Sequence, residues 1–139
     1  VQCLLDEGAD TDKATNDGET PLHIAAEKGY EAVVQCLLNF GADKDKATND
    51  GATPLHYAAL PGYEAVVQCL LDEGADTDKA TNDGETPLHI AAEKGYEAVV
   101  QCLLNFGADK DKATNDGATP LHYAALPGYE AVVQCLLDE

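Results

Sequence analysis

The sequence predicts an all-α solenoid of stacked helix–turn–helix units, and three observations lead to this prediction. The segment Thr-Pro-Leu-His occurs four times, always 33 residues apart. Each copy opens two successive segments with the apolar spacing of a helix, and a glycine separates them. A unit of this length cannot cover its own apolar faces, so it folds only against its neighbours. The four copies begin at Thr20, Thr53, Thr86 and Thr119.

The first helix of each unit is expected to begin at this segment. The hydroxyl of Thr20 can accept a hydrogen bond from the first turn, and Pro21 suits the first helical position, where an N–H group lacks a helical partner. We expect this helix to end near Lys28, with Gly29 turning the chain. The pair Ala25-Ala26 allows a neighbouring helix to approach closely.

The second helix of each unit is expected to begin at Tyr30 or Glu31 and to end at Asn39. Its apolar residues recur at i, i+3 and i+4, as on one face of a helix. Gly41 follows and fits a left-handed C-terminal cap. The polar segments between units contain Asn-Asp-Gly, which is typical of a tight turn in which Gly18 has a positive φ.

The units alternate between two versions, so the identical repeat is 66 residues long. Residues 67–132 copy residues 1–66 without a change, and residues 133–139 begin a third copy. Such identity indicates either a designed or expanded array or a recently amplified gene, and the sequence does not decide between them. We call the units that start near residues 9 and 75 odd, and those that start near residues 42 and 108 even.

The pattern Gly-x-Thr-Pro-Leu-His-x-Ala-Ala resembles the ankyrin repeat, and the resemblance covers essentially all 139 residues. It implies one ankyrin-repeat solenoid over residues 1–139 with short β-hairpin fingers, whose strands are so short that a strand count near zero is expected. A partial unit, 1–8, precedes full units of 33 residues from about residues 9, 42, 75 and 108. The family's usual His after the glycine between the helices is replaced here, so its hydrogen bond between repeats is not expected. The replacing residues are Tyr30, Tyr63, Tyr96 and Tyr129.

The even units differ from the odd ones near the end of the first helix. Pro61 has no N–H group and disfavours α geometry at Leu60. We therefore predict that the first helix is about one residue shorter in even units and ends at Ala59 and Ala125. The even units also differ in the finger, where Ala replaces Glu, in the first helix, where Tyr replaces Ile, and at the end of the second helix, where Asp-Glu replaces Asn-Phe.

The net charge of −18, from 26 acidic and 8 basic residues, argues against nucleic acid and anionic membranes as partners. A basic partner is favoured, although the acidity is equally consistent with a role in solubility. No apolar run approaches the roughly 18 residues of a membrane span.

The five cysteines occupy one repeat position. Neighbouring helices lie about 8–10 Å apart, whereas a disulfide needs Cα atoms within about 7 Å. We therefore predict five buried thiols, which suit a reducing, intracellular and cytoplasmic location. These residues are Cys3, Cys36, Cys69, Cys102 and Cys135.

Three residue types could carry chemistry, but none of their patterns predicts an active site. Each repeated His is interpreted as bonding local backbone and its Thr hydroxyl, because adjacent copies are too far apart to share a metal directly. A Cys/His nucleophile is disfavoured, since an apolar surrounding raises a thiol pKa. The sequence has no Ser, so no serine nucleophile exists. We expect no enzyme activity, no cofactor and no metal site. The His residues are His23, His56, His89 and His122.

The aspartates of the polar segments invite a Ca²⁺ interpretation that their spacing does not support. Asp10 and Asp12 are followed by Lys13 and not by the Asn-Gly of an EF-hand loop. They are interpreted as solvated turn carboxylates, with adventitious surface ions as the alternative.

The resemblance implies that ligands bind the concave side, which finger tips and first helices form. Carried over by position, this side presents acidic bands in odd units and apolar-aromatic bands in even units. The bands favour a basic, extended protein partner with apolar residues at matching intervals, and the alternative is a face without a ligand. The predicted partner-binding residues are Asn16, Asp17, Glu19, Glu27, Lys28, Asn49, Asp50, Ala52, Tyr57, Leu60, Asn82, Asp83, Glu85, Glu93, Asn115, Asp116, Tyr123 and Leu126.

A second hypothesis comes from the two ends, because solenoids normally close with polar capping repeats and none is recognisable here. Complementary ends that do not close on each other give filaments. The alternatives are therefore a self-stacking structural solenoid, a slice of a longer array, or an engineered scaffold without a natural ligand. We expect Val1, Leu4 and Leu5 to face outward at one end and Val132, Leu136 and Leu137 at the other.

Overall fold

Eight helices have both ends within the residues that the computed structural model describes, which are Leu4 and residues 6–138. The first helices of the four units are α1 (Pro21–Lys28), α3 (Pro54–Ala59), α5 (Pro87–Lys94) and α7 (Pro120–Ala125). The second helices are α2 (Glu31–Asn39), α4 (Glu64–Asp72), α6 (Glu97–Asn105) and α8 (Glu130–Asp138). No strand occurs in this described part, so the all-α prediction is confirmed. None of its helices combines the length and the apolar character that crossing a membrane requires.

The start of each first helix is as the sequence predicts. Thr20 has an extended backbone, and its hydroxyl accepts a hydrogen bond from the backbone N–H of His23. The His23 side chain in turn accepts from the N–H of Thr20, so two N–H groups of the helix start are satisfied reciprocally. Pro21 occupies the first position, and α1 ends at Lys28 before Gly29 in the left-handed conformation.

The first helix is two residues shorter in even units, not one. Helix α3 ends at Ala59, as predicted, because Pro61 has no N–H group to continue the ladder. The N–H of Gly62 donates instead to the carbonyls of Ala58 and Ala59, at 3.2 and 3.1 Å. The expectation that Leu60 leaves α geometry is wrong: its φ of −62° and ψ of −47° are helical. Its N–H donates to the carbonyl oxygen of His56, and this hydrogen bond holds it in that conformation.

The fingers are tight turns and not paired strands. In the first finger, the N–H of Thr15 donates to the carbonyl of Glu19 and the N–H of Gly18 donates to that of Thr15, both at 2.9 Å. Gly18 has a φ of +87°, and an added Cβ would lie 2.9 Å from the backbone nitrogen of Asn49 in the next finger. The glycine is therefore required both by the turn and by the close approach of the next unit.

Successive units stack side by side. Each first helix packs on the next first helix, each second helix packs on the next second helix, and the two helices of one unit pack on each other. The fully buried Leu22, Leu55 and Leu88 come from three successive units, so one core runs through the stack. The ring of Tyr63 lies against Gly29 of the preceding unit, where an added Cβ would be 3.0 Å from the ring. The tyrosine at the family's histidine position therefore contacts the neighbouring unit by packing.

The expectations about the two ends are partly wrong. Leu137 is 62% exposed, as predicted, but Val132 and Leu136 are buried at 1% and 4% exposure. These two side chains face back toward the preceding unit, which covers them. At the other end Leu4 is exposed, as predicted. The expectations for Val1 and Leu5 lie outside the described residues.

Candidate partner-binding surface

The repeated histidines hold the units together. Because the N–H of Thr20 donates to Nδ1 of His23, the ring proton belongs on Nε2. Nε2 lies 3.0 Å from the carbonyl oxygen of Ala52 in the next unit and donates to it. His56 and His89 make the same bond to the carbonyls of Glu85 and Ala118. The sequence predicts the bonds to Thr and local backbone but not this bond between units.

Burial keeps these imidazoles uncharged. Loss of hydration lowers the pKa of His56 to about 4, although the hydrogen bond to Glu85 acts in the opposite direction. The same cause lowers the pKa of His23 and His89. Both ring nitrogens of each are already hydrogen-bonded, so neither is available as a ligand or a base.

The tips of the fingers form a ladder of hydrogen bonds. The backbone N–H of Asn49 donates to the carbonyl of Asp17, and its side-chain amide donates to the carbonyl of Asn16. Asn82 and Asn115 repeat both contacts with the preceding finger. These asparagines are exposed, as predicted, but their amides already serve the stack. The aspartate side chains at the tips are exposed in all four fingers: Asp17, Asp50, Asp83 and Asp116.

A tyrosine of each even unit reaches back to the finger of the preceding odd unit. The hydroxyl of Tyr57 donates to Oε2 of Glu19 at 2.6 Å, and that of Tyr123 donates to Oε2 of Glu85 at 2.8 Å. The ring of Tyr57 also meets that of His23 edge-on, with 5.0 Å between centroids. Burial, the hydrogen bond and nearby carboxylates raise the pKa of Tyr57, and the same causes raise that of Tyr123 to about 12.

Sequence reasoning places these residues on one face but misses this bond. The alternation carries a signal for it, because units with Glu in the finger have Ile in the helix and units with Tyr in the helix have Ala in the finger. Tyr57 is half-buried, as expected, and so are Glu19 and Ala52. Leu60 and Leu126 are exposed. Of the other predicted contact residues, Glu85 and Tyr123 are half-buried, and the exposed ones are Asn16, Glu27, Lys28 and Glu93.

The comparison with protein families decides the classification. The family model described as ankyrin repeats (3 copies) matches residues 1–81 and 62–139, which together span the chain. The chain belongs to the ankyrin-repeat family. A comparison with curated proteins finds no match. Ankyrin repeats are in general non-catalytic modules of protein–protein interaction.

The cysteines of this ankyrin-repeat protein are only partly as predicted. Cys69 and Cys102 are buried thiols, but Cys36 and Cys135 are half-buried, and Cys3 lies outside the described residues. Burial raises the pKa of Cys69 and Cys102, with nearby carboxylates acting in the same direction. The thiol of Cys69 donates to Oε1 of the preceding unit's glutamine, Gln35, at 2.9 Å. A protonated, hydrogen-bonded thiol is a poor nucleophile.

The loop aspartates of the ankyrin stack bind backbone N–H groups. Asp10 accepts a hydrogen bond from the N–H of Asp12, and Asp12 accepts one from the N–H of Asp43 in the next unit, each at 2.9 Å. The same contact between units recurs where Asp45 accepts a hydrogen bond from the N–H of Asp76. Among the described residues, no three His, Cys, Asp or Glu side chains form a group that could hold a metal ion. The interpretation as turn carboxylates is consistent with these bonds.

Proposed function

We propose that this chain is a non-catalytic interaction scaffold whose concave face binds a basic, extended protein partner. The observation that carries the proposal is the alternation of acidic and aromatic side chains along one face, where Glu19, Tyr57, Glu85 and Tyr123 follow one another in linked pairs. Aromatic anchors surrounded by polar groups are typical of binding sites, and the net charge of −18 favours a cationic partner. Nucleic acid and anionic membranes are disfavoured for the same reason.

Residues 1–139 act in this proposal as one solenoid, with units from about residues 9, 42, 75 and 108. It places the protein inside the cell, in the cytoplasm, because the buried thiols of Cys69 and Cys102 suit a reducing environment. The contact residues are those predicted from the sequence.

The experiment is a pull-down from cell extract followed by affinity measurements on the recovered protein at low and high salt. We expect a basic partner whose affinity falls steeply with salt. Replacing three finger-tip aspartates by asparagine should weaken binding about tenfold, since exposed ion pairs contribute up to about 1 kcal/mol each. The substitutions are Asp17→Asn, Asp50→Asn and Asp83→Asn.

The matched control removes the same charge from the second helices, by Glu31→Gln, Glu64→Gln and Glu97→Gln, and should leave the affinity unchanged. These three glutamates are exposed. Equal losses in the two triple variants would contradict a concave binding face, because only the overall charge would then matter. Recovery of a partner that is not basic, or of one whose affinity does not change with salt, would indicate that the acidic residues serve solubility and not binding.

A second candidate function is end-to-end association of this 139-residue chain into filaments. It is supported by the exposed face of the last unit, where Leu126 and Leu137 are 91% and 62% exposed and Ala125 is exposed as well. Light scattering over a concentration series should then show a rising mass, and Leu126→Asp with Leu137→Asp should lower it. A constant monomer mass at high concentration would remove this candidate. If filaments form and the pull-down recovers no partner, end-to-end association would be favoured over the interaction scaffold.

A further inference from the structure

Tyr57 lines two depressions on the concave face. One, the apolar pocket, has a volume of about 250 Å³ and is lined mainly by Ala52, Tyr57, Leu60 and Ile90. The other, the acidic pocket, is lined by three carboxylates together with Tyr57, Thr48 and Asn49; the carboxylates are those of Asp17, Glu19 and Asp50. Two pockets of opposite character thus share one aromatic wall.

The apolar pocket fits one side chain. Its volume lies below the roughly 300–1,000 Å³ that is usual for small-molecule sites. His56 also lines it, but Nε2 of this residue is 2.8 Å from the carbonyl of Glu85 and Nδ1 accepts from the N–H of Thr53. The imidazole therefore offers no open hydrogen-bonding position, and an apolar occupant is favoured. Leu60, 51% exposed, leaves apolar surface that such an occupant would cover.

The two pockets also fix the charge of the occupant. Glu27 lines the apolar pocket, and three carboxylates line the acidic one. The residues that line the two depressions include no lysine or arginine. A cation of a partner would therefore find a carboxylate in each of the two pockets that Tyr57 lines. No basic side chain in either lining would oppose its attraction.

We propose that Tyr57 is the centre of a bipartite site for one apolar side chain and a neighbouring lysine or arginine of a protein partner. The apolar side chain enters the pocket between Leu60 and Ile90, and the cation pairs with Asp17, Glu19 or Asp50. This proposal rests on the proposed function and adds where on the concave face the partner is anchored and by which pair of residues.

The chain contains an incomplete copy of this site at Tyr123. The acidic half is repeated, because Tyr123 donates to Glu85 and Asp116 occupies the position of Asp50. The apolar half is open: Leu126 is 91% exposed, and no described residue stands where Ile90 closes the first pocket. The same substitution at residues 60 and 126 therefore compares a complete site with an incomplete one in a single protein.

The experiment selects short random peptides, displayed on phage, for binding to the 139-residue chain. Each enriched peptide is synthesised, and its affinity is measured for the wild type, Leu60→Ser and Leu126→Ser. We expect an apolar residue next to or near a Lys or Arg in the enriched peptides. Leu60→Ser should weaken their binding about tenfold, whereas Leu126→Ser, in the incomplete copy of the site, should weaken it by no more than about twofold. The pair Asp50→Asn and Asp116→Asn tests the acidic half in the same way.

The other outcomes separate the two proposals. Peptides that bind but respond equally to Leu60→Ser and Leu126→Ser would overturn the bipartite site and leave concave binding standing. Enriched peptides without a basic residue, or without an apolar one, would overturn it as well. If no peptide is enriched, the proposed function itself fails. Helix content measured by circular dichroism shows whether each variant is folded, and both leucines are exposed enough for the fold to tolerate serine.

Discussion

Residues 42–72 and 108–138 have the same sequence but different surroundings. Both units have a preceding neighbour, and only the first of them has a described unit on its other side. Side chains that face the preceding unit are equally buried in both units: Val66 and Val132 are each 1% exposed. Side chains that face the following unit differ in burial: Leu71 is 3% exposed, whereas Leu137 is 62% exposed. The neighbour, and not the sequence of a unit, therefore decides which of its apolar residues form core.

The largest expected difference between the two units concerns a core leucine. Leu55 is fully buried, whereas Leu121 is half-buried. Leu55→Ala should lower the free energy of unfolding by about 3 kcal/mol and Leu121→Ala by about 1 kcal/mol. Urea denaturation followed by circular dichroism measures both.

A second pair of variants distinguishes missing burial from general fraying of the last unit. Leu70 and Leu136 face back and are 0% and 4% exposed. Leu70→Ala and Leu136→Ala should therefore have similar, large effects. A small effect of Leu136→Ala would mean that the last unit as a whole is only loosely packed. The smaller effect of Leu121→Ala could then not be assigned to the missing neighbour on that side of the unit.

The same distinction explains what the sequence could and could not predict. Helix starts and ends depend on residues a few positions apart, so the Thr20 cap and the end at Ala59 were predictable. The contacts of His23 with Ala52 and of Tyr57 with Glu19 join residues 29 and 38 positions apart. They depend on the offset between stacked units, which the spacing of motifs does not give.

The candidate surface was predictable to the same degree. The resemblance gives its face, but the pockets depend on neighbouring units. The acidic pocket forms where an odd unit meets the following even one, and the apolar pocket also needs the odd unit after that. The error at Val132 and Leu136 has the same cause: a helical pattern shows that a face is apolar and not which neighbour covers it.

Protonation of a buried histidine is expected to destabilise the fold as the pH falls. Since the pKa of His56 is about 4 in the fold and about 6.5 when unfolded, the unfolded state binds more protons between these values. The contribution of neutral His56 to stability is therefore fully present above about pH 6.5 and is lost as the pH falls toward 4. From about pH 7 to pH 5 the contribution of His56 to this loss is about 2 kcal/mol.

Urea denaturation at several pH values tests this prediction with a matched pair. The buried His56 and the exposed His122 occupy the same position in their units. His56→Asn should reduce the loss of stability between pH 7 and pH 5, whereas His122→Asn should leave that loss unchanged. An identical pH dependence in both variants would contradict the assignment of the effect to the buried ring. His23 and His89, whose pKa values are also lowered, contribute to the dependence that remains.

Alanine in place of a finger glycine is expected to cost more in the first even unit than in the second. Gly51 and Gly117 both have a φ of +85°, so alanine at either position costs about 1 kcal/mol of backbone strain. At Gly51 the added Cβ would also lie 2.9 Å from the backbone nitrogen of Asn82, whereas nothing lies within 4 Å at Gly117. Gly51→Ala should therefore cost about 1 kcal/mol more than Gly117→Ala in thermal or urea unfolding. Equal costs would mean that the next finger moves aside without loss.

No difference between the two even units is expected for the hydroxyl of their tyrosine. Tyr57 and Tyr123 both donate to a glutamate of the preceding unit, at 2.6 and 2.8 Å, and both units have that neighbour. Tyr57→Phe and Tyr123→Phe remove one hydroxyl each and should lower the free energy of unfolding by the same amount, about 1 kcal/mol. Urea denaturation of the two variants tests this, with Tyr57→Phe/Tyr123→Phe as the additive double variant. A clearly larger loss at Tyr57 would show that the following unit also supports this hydroxyl, because the following unit is the one feature in which the two surroundings differ.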